Sequence, residues 1–204
     1  MPLALDLQKD ESIVLRGDQK MEDGFMMIGL GWDEPKKPGV TIDVDSAVFG
    51  RSAAGETNDL DNVCYFKHLD CSWAHHGGDN LTGVGQIDVT GDDERIWINL
   101  GKVPADVNHI DVVCNIYNAA AKKQSFGDLP GGQIRLVSVP SMTEHEGEEK
   151  VRISFTDDAL FDAAGMLFVQ IARKGATWEV KRVDLTNPAF AAMNTAVNFV
   201  SPQL

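Results

Sequence analysis

Asp43 and Asp45 stand two residues apart in Val40-Thr41-Ile42-Asp43-Val44-Asp45. Alternation along an extended chain puts both carboxylates on one face and Val40, Ile42 and Val44 on the other. A rise of about 3.3 Å per residue separates their Cα atoms by about 6.6 Å, so both can reach one hard cation. Aspartate is depleted in strands, so two of them among β-branched residues need a reason. A second oxygen-rich stretch runs Gly77-Gly78-Asp79-Asn80-Leu81-Thr82-Gly83-Val84-Gly85. Its residue types form turns. The same loop can offer Asp79, Asn80 and backbone carbonyls to calcium, which takes about six to eight oxygen ligands. A third stretch, Gly91-Asp92-Asp93-Glu94, places three acids in a row just before the strand-like run from Arg95 to Leu100. Oxygen donors without imidazole or thiolate select calcium or magnesium over zinc or copper. An EF-hand is excluded: the Asp43 segment lacks that loop's third oxygen residue, its glycine and its closing glutamate.

These acids sit in an uneven charge distribution. The chain carries 18 basic and 31 acidic side chains, a net −13. Between Thr41 and Glu94 there are 11 acids and only two bases, Arg51 and Lys67. Carboxylates crowded this way repel one another unless solvated, protonated or neutralised by a cation. A solvated acidic face, or one that meets a basic partner, is the other reading. So acidic a balance argues against nucleic-acid binding and against direct attachment to an anionic membrane.

Other chemistry is weakly supported. Cys64, His68, Cys71 and His75 have zinc-ligand types, but their spacing matches no common finger and Cys64 lies in an apolar strand-like run. Cys71 near His75 is a thin signal for a thiolate pair. His76 and His145 are expected in solvent. No Gly-x-Ser-x-Gly, His-Glu-x-x-His or phosphate-loop signature occurs. Three cysteines cannot all pair within one chain, which suits a reducing cytoplasm, and the first residues lack the pattern of a signal peptide.

The elements that must position the acids have a period of two. Runs at 12–15, 25–30, 40–45, 62–67, 96–100, 110–116, 133–139, 150–155, 166–173 and 177–183 read as strands, separated by glycine and proline. This pattern predicts one all-β domain over residues 1–204, a β-sandwich of many short antiparallel strands. Asn187-Pro188 starts a C-terminal helix, with Phe190, Met193, Val197 and Val200 on its packed face. A short helix is expected near 157–164 and an exposed hairpin loop over 141–150.

Several of these motifs occur in an order that resembles the TerD family of tellurite-resistance and stress-response proteins. They are Gly29-Leu30-Gly31-Trp32-Asp33, Ile42-Asp43-Val44-Asp45-Ser46-Ala47, Gly78-Asp79-Asn80-Leu81-Thr82-Gly83, Gly91-Asp92-Asp93-Glu94 and Val103-Pro104-Ala105-Asp106. Gln124-Ser125-Phe126-Gly127 and the strand around Trp178 add to the likeness. The resemblance implies a cytoplasmic, non-enzymatic, calcium-binding β-sandwich that works in a larger assembly with other stress-response proteins and meets membranes only through a partner. It implies one or two Ca²⁺ held by Asp43, Asp45, Asp79, Asn80, Asp92, Asp93 and Glu94, with Asp33 and Asn118 as further candidates. The chain departs from the family at Ile116-Tyr117-Asn118-Ala119, where an Ile-His-Asp-Ala pattern is usual, and in a longer spacer between Gly83 and Gly91. A different expectation is a metal-dependent binder or hydrolase of a phosphorylated small molecule such as a cyclic nucleotide, for which Arg51, Lys67 and Arg95 are the nearby bases.

Overall fold

The computed structural model describes residues 5–15, 25–35, 37–83, 91–155 and 161–202. Among the described residues, twelve strands form two six-stranded sheets with orders β1-β10-β9-β3-β7-β6 and β2-β12-β11-β8-β4-β5. The first sheet uses β1 (Leu5–Asp6), β3 (Phe25–Trp32), β6 (Ala74–His76), β7 (Glu94–Ile98), β9 (Gly132–Val139) and β10 (Glu148–Ser154). The second uses β2 (Ser12–Leu15), β4 (Val44–Arg51), β5 (Val63–Tyr65), β8 (His109–Ile116), β11 (Gly165–Lys174) and β12 (Thr177–Thr186). All pairings are antiparallel except β1 with β10. Alternate residues of both sheets, including Met26, Ile28, Val44, Val48, Ile96, Ile98, Val112, Ile134, Phe168 and Ile171, fill one apolar core. Among the described residues no helix is long and apolar enough to cross a membrane.

The strand expected at 40–45 begins only at Val44 and runs on to Arg51. Every residue of β4 is buried, so no polar-out rhythm marks it in the sequence. Its outer face is covered as well as its inner one. Ala47, Phe49, Val113 and Leu167 pack there against Phe190, Met193 and Ala196 of the C-terminal segment.

That segment corrects the expected C-terminal helix. Asn187 does cap a turn, accepting from the Ala189 N–H at 2.9 Å, but the element is a 3₁₀ turn, Pro188–Ala191. Ala192 is extended, and a single α-turn follows over Met193–Ala196. A buried cation meets the chain where that turn ends. Arg51 donates through Nη2 to the Ala196 carbonyl at 2.9 Å, and through Nη1 to Val197 and Phe199 carbonyls at 3.2 and 2.6 Å. These carbonyls follow the last helical residues, where a helix leaves its final acceptors for an outside donor. Half of the expected helix near 157–164 lies outside the described residues, and its described half, 161–164, is turn and bend; the long spacer at 84–90 lies wholly outside them.

Candidate metal centre

Asp43, Asp45 and Asp79 come together. One carboxylate oxygen from each lies within 4.8 Å of the others. Asp43 is held from both sides. The Trp32 Nε1–H donates to the Ile42 carbonyl just before it at 3.0 Å, and the Tyr117 N–H donates to its own carbonyl at 2.9 Å. Asp45 is the second residue of β4 and pairs in register with Asn115 of β8. Asp79 arrives on the loop after β6, a strand absent from the sequence reading because it is only three residues long and two are histidines. In that loop Gly78 has φ +112°, a backbone state that favours glycine, and its N–H donates to His76 Nδ1 at 3.1 Å. His76 is therefore buried and structural, not solvated as the sequence suggested.

The run Asp92-Asp93-Glu94 divides into three separate duties. Glu94 points toward the triad. Its Oε2 accepts from Ser46 N–H at 2.8 Å and from Ser46 Oγ at 2.7 Å, with His76 Nε2 3.5 Å away. β5 pairs only with Ala47–Phe49, so Ser46 lies beyond the last β5 rung. Asp93 ties two motifs together. Its Oδ2 accepts from the Trp32 N–H at 2.9 Å and its Oδ1 from Asn80 Nδ2 at 3.2 Å. Asp92 lies elsewhere, locked to Arg135, whose Nε and Nη2 donate to its two oxygens at 2.6 Å each, and to Arg95 at 3.3 Å. This buried cluster explains Gly29: a Cβ there would lie 2.5 Å from the Asp92 carboxylate.

Of the remaining candidates, Asn80 uses Oδ1 to accept from Thr82 and Gly83 N–H groups at 3.2 and 3.3 Å, shaping the loop. Asp33 is exposed and lies outside the triad, its N–H donating to the Gly131 carbonyl at 3.0 Å. Asn118 is exposed with φ 56° at the start of a helical turn, on the wall of a cleft beside Asp45. The zinc-type residues do not converge: His68 Nδ1 faces the Val63 carbonyl at 2.7 Å, and His75 Nδ1 faces Asp70 at 2.6 Å.

The triad is electrostatically frustrated. Burial, with Asp79 and Glu94 nearby, pushes the Asp43 carboxyl up to about 6. Burial, then Glu94, Asp43 and Asp79, pushes Asp45 up to about 8. Asp79 is raised as well, by burial and by Glu94. Two buried acceptors beside them, Asp43 Oδ1 and Asn115 Oδ1, have no hydrogen-bond donor among the described residues. Buried acceptors without donors cost free energy, and a cation would satisfy them. Asn115 escaped the sequence reading; its position two residues before Tyr117 on one strand face was the only signal. The residues present thus fit a hard oxygen-ligated cation.

Asp45 and Asn115 also floor a cleft of about 680 Å³. Its walls include Tyr65, Phe66, Tyr117 and Met193, with Lys67 and Lys123 contributing the basic groups. Arg51 and Arg95 are unavailable to it, being buried against Asp111 and Asp92.

Known proteins resemble this chain over most of its length. A family model described as the TerD domain matches residues 3–187. The tellurium resistance protein TerD of Alcaligenes sp is 38% identical over 163 residues, covering 78% of this chain and 79% of that protein. General stress protein 16U of Bacillus subtilis (strain 168) is 32% identical over 161 residues, 78% of each chain. Stress response protein SCP2 of the same organism is 31% identical over 195 residues, 89% of this chain and 92% of the other. The crystal structure of a telluride resistance protein homologue from Streptomyces coelicolor A3(2) superposes with a TM-score of 0.64. It is 14% identical and covers 84% of this chain and 97% of that one, a likeness of fold. With the matched family model spanning the motifs that build the centre, the chain belongs to the TerD domain family of tellurium-resistance and stress proteins.

Proposed function

We propose that this protein is a calcium-binding β-sandwich that serves stress and tellurite resistance in a cytoplasmic assembly without catalysing a reaction itself. The observation that carries the reading is the Asp43–Asp45–Asp79 triad, with Asp43 Oδ1 and Asn115 Oδ1 left without donors beside it. Asp43, Asp45, Asp79 and Asn115 would hold the ion, and Glu94 adds its field. Asp93 and Asn80 hold the loop. Calcium suits the all-oxygen set and its mixed exposure better than magnesium, which demands near-octahedral order. The bound ion would cancel the repulsion among the acids and so tie the Asp79 loop to β4. The one such cluster among the described residues favours one ion. Partners would be other stress-response proteins that meet the ordered loops.

The test is a calorimetric calcium titration of EDTA-stripped protein, with a magnesium control and a parallel thermal melt. Binding at micromolar calcium with a rise in Tm supports the proposal, because an ion that binds only the folded site stabilises it. Absence of both heat and Tm shift would reduce the acids to a solvated or partner-facing surface.

The cleft beside Asp45 favours a second reading, a phosphorylated small molecule held by the ion and by Lys67 and Lys123. A nucleotide-dependent Tm shift that requires calcium would support it; no shift with calcium present would dismiss it.

A further inference from the structure

Two hollows adjoin beside the metal centre. The larger is the cleft of about 680 Å³ that Asp45 and Asn115 floor. The smaller, of about 450 Å³, lies against Lys37, Thr41, Lys122 and Lys123. Lys123 and Gln124 line both, so the two make one continuous groove. Gln124 is fixed at the junction by its Nε2–H, which donates to the Thr41 carbonyl at 2.9 Å.

The two halves differ in chemistry. In the cleft, Tyr65 meets Phe66 and Phe66 meets Tyr117 edge to face, with ring centroids 5.4 and 6.3 Å apart. Tyr117 is 41% exposed, a large apolar surface left open to solvent. The other half is basic: Lys37, Lys122 and Lys123 are all exposed, and Lys67 adds a fourth cation in the cleft wall, 5.1 Å over the Phe66 ring. None of these four lysines forms an ion pair among the described residues, although the chain has 31 acids for 18 bases. Elsewhere Lys150, Lys174 and Lys181 each find a carboxylate at 2.6 to 3.4 Å. The two acids that line the groove are otherwise engaged: Asp45 is buried in the triad, and Asp128 accepts from the Ser125 N–H at 2.9 Å.

We propose that this groove docks an acidic peptide segment of a partner protein, its carboxylates on Lys37, Lys122 and Lys123 and an apolar anchor among Tyr65, Phe66 and Tyr117. Unpaired lysines on so acidic a protein call for an anionic partner. The open aromatic wall calls for an apolar side chain on that same partner. A groove that runs through two hollows of opposite character suits a chain better than a compact ligand. Gln124 points the same way: its Oε1 has no donor among the described residues, and a peptide N–H can supply one where a phosphate cannot. Nucleic acid, the other long anion, is repelled by the net −13. The inference goes beyond the calcium reading, because lysines hold carboxylates with or without the ion. It shares the cleft with the phosphorylated-ligand reading and competes with it.

The test titrates a fluorescein-labelled peptide, glutamates flanking one phenylalanine, with full-length protein in EDTA and again in calcium, and follows anisotropy. Saturable binding in both buffers is expected, tighter in calcium and weaker as salt rises. The double variant Lys122→Gln/Lys123→Gln should lose about fivefold in affinity or more. Lys102→Gln, at an exposed lysine outside the groove, should lose nothing. A peptide with alanine for the phenylalanine should also bind more weakly. No saturable binding in EDTA, or equal affinity of the folded double variant and its parent, would overturn the proposal. Binding that requires calcium would put the carboxylates on the ion and overturn it too. Adenosine triphosphate bound at these lysines, with the peptide not bound, would give the groove to a phosphorylated ligand instead. Since the peptide is read in EDTA, a failed calcium titration and a failed peptide titration remain separate results.

Discussion

Asn115 faces Asp45 directly across the β4–β8 ladder, its amide nitrogen 3.5 Å from Asp45 Oδ2 and its carbonyl oxygen without a donor among the described residues. That geometry makes Asn115 a better ligand candidate than Asp92, which bears the more conspicuous charge. Asn115→Ala and Asp45→Asn should each weaken calcium binding by about tenfold or more, the scale on which metal sites lose affinity when a supporting partner is removed. Calorimetry on the two folded variants decides it. Unchanged affinity in both would remove β4 and β8 from the site.

Metal-free protein should lose stability as pH rises. The Asp43 and Asp45 carboxyls are raised to about 6 and about 8 when folded, against an ordinary value of 3.8. Between about pH 4 and 8 the native state therefore holds more protons than the unfolded chain, and its stability falls with pH. Calcium should flatten that slope by accepting the ionised forms. Thermal melts of EDTA-treated and calcium-loaded protein over this range would reveal it, and parallel curves would count against an ion at the triad.

Asp92 should matter for folding and little for metal. Arg135→Met removes the two 2.6 Å bonds that hold Asp92 in a buried site, and breaking such a pair costs about 3–5 kcal/mol. For a chain of this size that corresponds to a fall in Tm of about 6–20 °C. Asp92→Asn should keep near-native calcium affinity in whatever fraction folds. A specific loss of affinity at preserved Tm would instead make Asp92 a ligand.

The C-terminal segment should detach when Arg51 is removed. Arg51 bonds Asp111 at 3.1 Å and takes three carbonyls from residues 196–199. Arg51→Met strips those partners and leaves Asp111 with the Gln170 amide but without its cation, so limited proteolysis should cut near 187–200 well before the sandwich unfolds. Equal protease resistance in variant and parent would show that Phe190 and Met193 alone hold the segment.

Much of this architecture follows from local pattern. Alternation along 110–116, 133–139 and 166–173 predicts strands, and β8, β9 and β11 are there, although β8 and most of β11 are buried on both faces. β4 and β6 were not legible. The expected strand at 40–45 overlaps β4 only at Val44 and Asp45, since Ser46-Ala47-Val48-Phe49-Gly50-Arg51 carries no period-two pattern, and β6 is too short to show a period. The C-terminal helix was expected as one element and is instead a 3₁₀ turn and a single α-turn separated by the extended Ala192.

Residue types and their local spacing determined that this chain would build a sandwich and pair Asp43 with Asp45; that Asp79 joins them was implied by the family resemblance, not by spacing. Tertiary structure alone decided which acids serve which end. Asp92, Asp93 and Glu94 are adjacent in sequence, yet one meets arginines, one a tryptophan backbone and loop amide, and one faces the triad. A strand sends neighbouring side chains to opposite faces, and what waits on each face comes from residues that are distant along the chain.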